Sequence, residues 1–191
     1  PHISLVMNFT PPRGNEPVLL TFDELTTFLH EFGHAIHGML SDVTYESLSG
    51  ANVYRDFVEL PSQIMENWAS EKENFNVAYA CLRQLSFGFL DMAWHTLTTP
   101  YSGDVMLFER EAWKQTQIFP QVDGTCMSVN FNHIFSGGYA AGSYGYKWAE
   151  VLDADAFSVF KKNGIFDRKT AQRFRDCILS KGGTEHPMTL Y

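Results

Sequence analysis

Two histidines and a glutamate in one short run give this chain its clearest chemical signal: His30-Glu31-Phe32-Gly33-His34. On a helix, positions four apart share a face, so the imidazoles of His30 and His34 start about 6 Å from each other. Two ring nitrogens at that spacing can hold one Zn²⁺ per chain. Glu31 lies one step round the helix, beside such an ion rather than on it. A carboxylate there can take a proton from an attacking water. His37 sits seven residues past His30, about 10 Å along the axis. It is read as a helix histidine satisfied by its surroundings, or at most as a group behind the ligands or facing a substrate. The extended pattern H-E-x-x-H-x-x-G-x-x-H fails, because position 37 is His rather than Gly and position 40 is Leu rather than His, which argues against a metzincin. The third ligand must come from further along, and a carboxylate is the usual choice.

Two acids offer themselves after that run, Glu59 and Glu66. They are seven apart and lie roughly on one helical face, so spacing does not choose between them. A second group of chemical interest is His133 with Tyr139, Tyr144 and Tyr146, set among Gly137, Gly138, Gly142 and Gly145. The glycines permit close backbone approach or hinge motion. A phenol is a hydrogen-bond donor at neutral pH, and aimed at a developing oxyanion it lowers a hydrolytic barrier.

The elements that must position these groups are mostly helices. Thr21 followed by Glu24 makes a capping box at the start of a helix over 21–40. Leu25, Phe28, Leu29, Phe32, Ile36 and Leu40 give that helix a broad apolar face. Residues 3–9 read as a short strand ended by Pro11, Pro12 and Gly14, an edge along which an extended peptide could pair. A second helix is predicted within 53–70, with Asp56 as N-cap and Pro61 near its first turn. Further helices are predicted over 74–97, over 104–117, from Trp148 to Phe160, and from Asp167 or Thr170 to Leu179.

The chain has 191 residues, 45% of them hydrophobic, enough for one sizeable core. A formal net charge of −8 argues against a nucleic-acid partner. No apolar run is long enough to span a membrane. Cys81, Cys126 and Cys177 are odd in number and lack a C-x-x-C spacing, which implies free, buried thiols in a reducing compartment. The cytoplasm is therefore expected, with the periplasm as the alternative.

Three blocks together resemble the thimet-oligopeptidase family of zinc peptidases, closest to its bacterial peptidyl-dipeptidase and oligopeptidase A branch. They are FLHEFGHAIHG (28–38), RDFVELPSQIMENWAS (55–70) and HIFSGGYAAGSYGYKWAEVLDADAF (133–157). The resemblance implies a mainly α, zincin-like helical catalytic domain, here with a small N-terminal strand element. It implies Zn²⁺ held by His30, His34 and Glu59, with Glu31 as general base. It implies substrate binding by His133 and carbonyl polarisation by Tyr139 and Tyr146, and assigns no role to Tyr144. The implied partners are short peptides, from which dipeptides are released at the C-terminus, or which are cleaved internally. Residues 1–191 would be the C-terminal catalytic part of that fold, without its N-terminal half and with a segment missing between Glu73 and Asn74. The apolar surface that the other half would cover then favours self-association.

Overall fold

The computed structural model describes residues 2–12, 14, 18–69 and 77–191. The first long helix, α1 (Phe22–Leu40), begins where the sequence asks it to. The Glu24 amide donates to the Thr21 hydroxyl at 3.1 Å, and the Thr21 amide donates to Glu24 Oε2 at 2.8 Å. Two orphan donors at the helix start are thereby satisfied. The expected strand over 3–9 is not formed, and no strand occurs among the described residues. A lone extended segment has no neighbour to complete a ladder. It is tied to α1 instead: the Thr10 amide and hydroxyl donate to Glu24 Oε1 at 2.6 and 2.7 Å, and the Ile3 side chain lies over Gly38.

After α1 the chain makes a single 3-10 turn at Glu46–Leu48. The second helix, α2 (Leu60–Glu66), starts later than the Asp56 cap predicted. Pro61 explains the delay. It has no N–H to bond the carbonyl four residues back, and its ring crowds that carbonyl, so a helix reaches Pro61 only within its first turn. The remaining helices are α3 (Val77–His95), α4 (Val105–Trp113), α5 (Met127–Asn130), α6 (Tyr144–Asn163), α7 (Arg168–Phe174) and α8 (Pro187–Leu190). Asp104 caps α4 and Asp167 caps α7 through their carboxylates. A π-helical turn, Arg175–Leu179, prolongs α7. Helix α6 starts earlier than predicted, with Gly145 in its first turn, and α8 was not anticipated. Ser70, the predicted end of the second helix, the start predicted at Asn74 and the junction of Glu73 with Asn74 lie outside the described residues.

The chain divides into two units, Pro1–Glu73 with Ala149–Tyr191, and Asn74–Trp148. In the first, Phe57, Leu60 and Ile178 form one buried cluster, and Ile64, Phe157 and Phe160 form another. The Trp68 ring meets Phe157 and Phe160 edge-on at 4.8 and 5.2 Å, and its Nε1 donates to the Ile165 carbonyl. Helix α1 lies directly on α2 because Gly33 has no side chain. A β-carbon there would stand 2.6 Å from Ser62 Cα and strike the Pro61 carbonyl. In the second unit, Leu90 and Ile134 are wholly buried. Glu109 of α4 is also buried and accepts from the Met127 and Ser128 amides, fixing the start of α5. The cysteines are free, as expected, but only Cys81 and Cys126 are partly buried; Cys177 is exposed. Among the described residues, no helix is long and apolar enough to cross a membrane.

Candidate metal centre

Helix α1 brings His30 and His34 to one face, their ring centroids 5.0 Å apart and nearly perpendicular. Glu59 approaches from the residue that precedes α2. It occupies the N-cap position without capping, because its carboxylate turns toward α1 instead. Glu59 Oε2 lies 3.3 Å from His30 Nε2 and 3.1 Å from His34 Nε2. One donor atom from each of the three residues falls within 4.8 Å of the others. Two imidazole nitrogens and one carboxylate oxygen, converging from different elements, are the donor set of a catalytic zinc site with room for a further ligand. The residues therefore fit the ion that the sequence pattern implies.

Two of the three donors, His30 and Glu59, are held from behind. Glu66 Oε1 lies 2.6 Å from His30 Nδ1. A proton on Nδ1, donated to Glu66, leaves the Nε2 lone pair free for a ligand bond. The Ser62 hydroxyl donates to Glu59 Oε2 at 2.8 Å and to the Glu59 carbonyl at 2.9 Å. Glu59 is 1% exposed and Ser62 is wholly buried. Sequence reasoning missed Ser62; its only signal was a hydroxyl three residues past an acid at a helix start. Glu66 was singled out, but as a rival to Glu59. The structure sets both acids on His30, one at each ring nitrogen.

The charges respond to this crowding. Burial pushes the His30 imidazole down, but the hydrogen bonds and charges of Glu59 and Glu66 outweigh it and hold it at about 9. Burial pushes Glu59 up, and the hydrogen bonds from His30 and His34 hold it well below the usual carboxylate range. His34 Nδ1 is buried without a hydrogen-bond partner among the described residues.

Glu31 lies half-buried on α1, next to His30 in the chain. His37 departs from the expectation of a satisfied helix histidine. It is wholly buried, and neither ring nitrogen finds a partner among the described residues. Burial, and then the nearby charge of His34, push it down to about 4, so it is a neutral imidazole.

A second cluster forms in the other unit. His133 sits in a 3-10 turn, Asn132–Ile134, stacked on Phe131 at 5.4 Å. Gly137 and Gly138, at φ 72° and 79°, turn the chain in the left-handed region that side chains disfavour. Tyr139 follows, with its ring 5.0 Å from His133. Tyr146, in the first turn of α6, stacks on Tyr139 at 5.4 Å and stands 6.3 Å from His133. The three residues to which the resemblance assigns roles are therefore neighbours, and Tyr144 is half exposed.

Comparison with known proteins adds to this geometry. The sequence profile of Peptidase family M3 matches residues 1–77 and 71–191. Oligopeptidase A of Haemophilus influenzae is 41% identical over 98% of this chain and 32% of its own length. Dipeptidyl carboxypeptidase of Salmonella typhimurium is 37% identical over all of this chain and 32% of its own. A probable cytosolic oligopeptidase A of Arabidopsis thaliana is 37% identical with the same coverage. The chain spans about a third of the length of these curated relatives.

Proposed function

The chain belongs to peptidase family M3, and from that membership we propose that it carries the zinc centre of a metallopeptidase acting on short peptides. The observation that carries this reading is the meeting of one donor atom each from His30, His34 and Glu59 within 4.8 Å. These three residues would hold Zn²⁺, which supplies a Lewis acid for the peptide carbonyl and makes a water more acidic.

The chain's own residues do the rest. Glu66 and Ser62 keep His30 and Glu59 turned to the ion. Glu31 accepts the proton of the water as its oxygen bonds to the carbonyl carbon. Glu31 then returns that proton to the amine nitrogen as the C–N bond breaks, so the carboxylate ends as it began. Tyr139 and Tyr146 are proposed as hydroxyl donors to the carbonyl oxygen as it gains charge, and His133 as a group that holds the peptide. The clustering of those three rings supports a shared task.

The preferred outcome is release of a dipeptide from a free C-terminus, supported by the likeness to a dipeptidyl carboxypeptidase. Internal cleavage is the second reading, and the 41% identity to an oligopeptidase favours it. A cytosolic setting is proposed from the Arabidopsis relative's name. The junction near Glu73 is proposed as the place of a missing segment, because the family profile matches as two separate stretches that overlap there, over 71–77.

The test is turnover of a quenched fluorescent peptide by the zinc-loaded chain. Glu31→Gln is expected to keep zinc and lose at least about 100-fold in rate. Equal rates in the two proteins would leave a metal- or peptide-binding role in place of a hydrolase. Amidation of the peptide's C-terminus then separates the two outcomes: unchanged cleavage rules out dipeptide release.

A further inference from the structure

The turn that carries Tyr139 is anchored by a residue with no part in the chemistry described so far. Asp91 lies on α3 and is 0% exposed. Burying a carboxylate is costly unless its oxygens are bonded. Both are. The Ala141 amide donates to Asp91 Oδ1 at 2.9 Å, and the Ser143 amide donates to Oδ2 at 2.9 Å. His95, one helical turn on, places Nδ1 3.0 Å from the same Oδ1 and 2.8 Å from the Asp91 carbonyl.

Ala141 is the informative partner. Its φ is 55°, and among the described residues it is the one non-glycine in the left-handed region. A methyl-bearing residue keeps that conformation only where its surroundings hold it. Two residues earlier, the Tyr139 carbonyl accepts from the Gly142 amide at 2.7 Å, closing a tight turn around Ala140 and Ala141. Tyr139 therefore stands between a glycine hinge at Gly137 and Gly138 and a turn bolted to a rigid helix.

We infer that Asp91 is a positioning residue: through the Ala141 and Ser143 amides it fixes the turn that aims the Tyr139 phenol. The link to turnover rests on the hydrolase reading above; the anchoring of the turn does not. Asp91→Asn keeps the shape but offers one acceptor where two amides need one each. Its expected effect is a fall of about 10- to 100-fold in kcat, the scale of a misplaced reacting group. KM and zinc content should move less than about threefold, since the metal donors are untouched. Ala141→Gly removes the strain that the anchor overcomes, so adding it to Asp91→Asn should restore part of the lost kcat.

The experiment is hydrogen exchange of the 191-residue chain combined with peptide kinetics on wild type, Asp91→Asn and the double variant. In the wild type, the Ala141 and Ser143 amides should exchange at least about tenfold more slowly than that of Gly138. Exchange as fast as at Gly138 overturns the proposal without any variant being made. So does wild-type kcat in Asp91→Asn, or a loss that only follows the folded fraction and is not relieved by Ala141→Gly. If the wild type turns over no peptide, the hydrolase reading falls, and exchange alone decides whether Asp91 anchors the turn.

Discussion

Replacing Gly33 by alanine adds one methyl group where α1 rests on α2. That carbon would stand 2.6 Å from Ser62 Cα and 2.9 Å from the Pro61 carbonyl carbon, nearer still to the Pro61 oxygen. Carbon atoms settle at about 3.5–4.0 Å, so the helices must part by about 1 Å. All three obstacles are backbone and cannot swing aside. Overpacking of this kind costs about 1–3 kcal/mol, and alanine recovers about 1 kcal/mol of helix propensity. The net loss is about 0–2 kcal/mol, or up to about 8 °C in Tm for a chain of this size. The larger consequence falls on the donors. His30 and His34 ride on α1, and Glu59 sits at the head of α2. Metal sites tolerate about 0.2 Å in ligand distance, so a 1 Å separation should weaken zinc binding at least about tenfold. Calorimetry of the metal-free chain and competition with a chromophoric chelator read the two effects. A Gly33→Ala chain as stable as wild type, with zinc affinity unchanged, would refute the claim that close contact of these helices builds the site.

Two further outcomes follow from the same geometry. Glu66→Ala should weaken zinc binding about 10- to 100-fold by freeing the His30 ring, whereas Glu59→Ala should abolish tight binding; chelator competition ranks the two, and the reverse order would mean that the ligand assignment is wrong. The metal-free chain should be most stable near pH 6.5. His30 is held at about 9 in the folded chain, so its contribution is complete below 6.5 and fades as pH rises toward 9. His37 is pushed down to about 4, so the unfolded chain takes up that proton first and stability fades as pH falls from 6.5 to 4. Each limb is worth about 3 kcal/mol at most. Urea midpoints with a chelator present should trace that peak, and His37→Leu should flatten only the acid side.

The parts of this molecule legible in the sequence are those set by neighbours in the chain. Thr21 and Glu24 announce the start of α1 because a capping box is a local exchange of two hydrogen bonds. His30 and His34 share a face because the helix period puts them there. The choice between Glu59 and Glu66 was not local. Both acids reach His30, at different nitrogens, and helical spacing does not say which end of an imidazole a carboxylate meets. The strand expected at 3–9 fails for the same reason: a ladder needs a partner strand. Asp91 and Glu109 escaped notice because their partners lie 50 and 19 residues away. A buried carboxylate that anchors a distant turn looks, in sequence, like any charge on a helix.

The central claim is met most directly by X-ray absorption and zinc stoichiometry on the purified chain. One zinc per chain is expected, with two imidazole nitrogens at about 2.0–2.1 Å, light oxygen ligands and no sulfur. His34→Ala and Glu59→Ala should each lose that zinc, while Glu31→Gln keeps it. A sulfur signal from a cysteine, or full zinc occupancy after removal of Glu59, would contradict it.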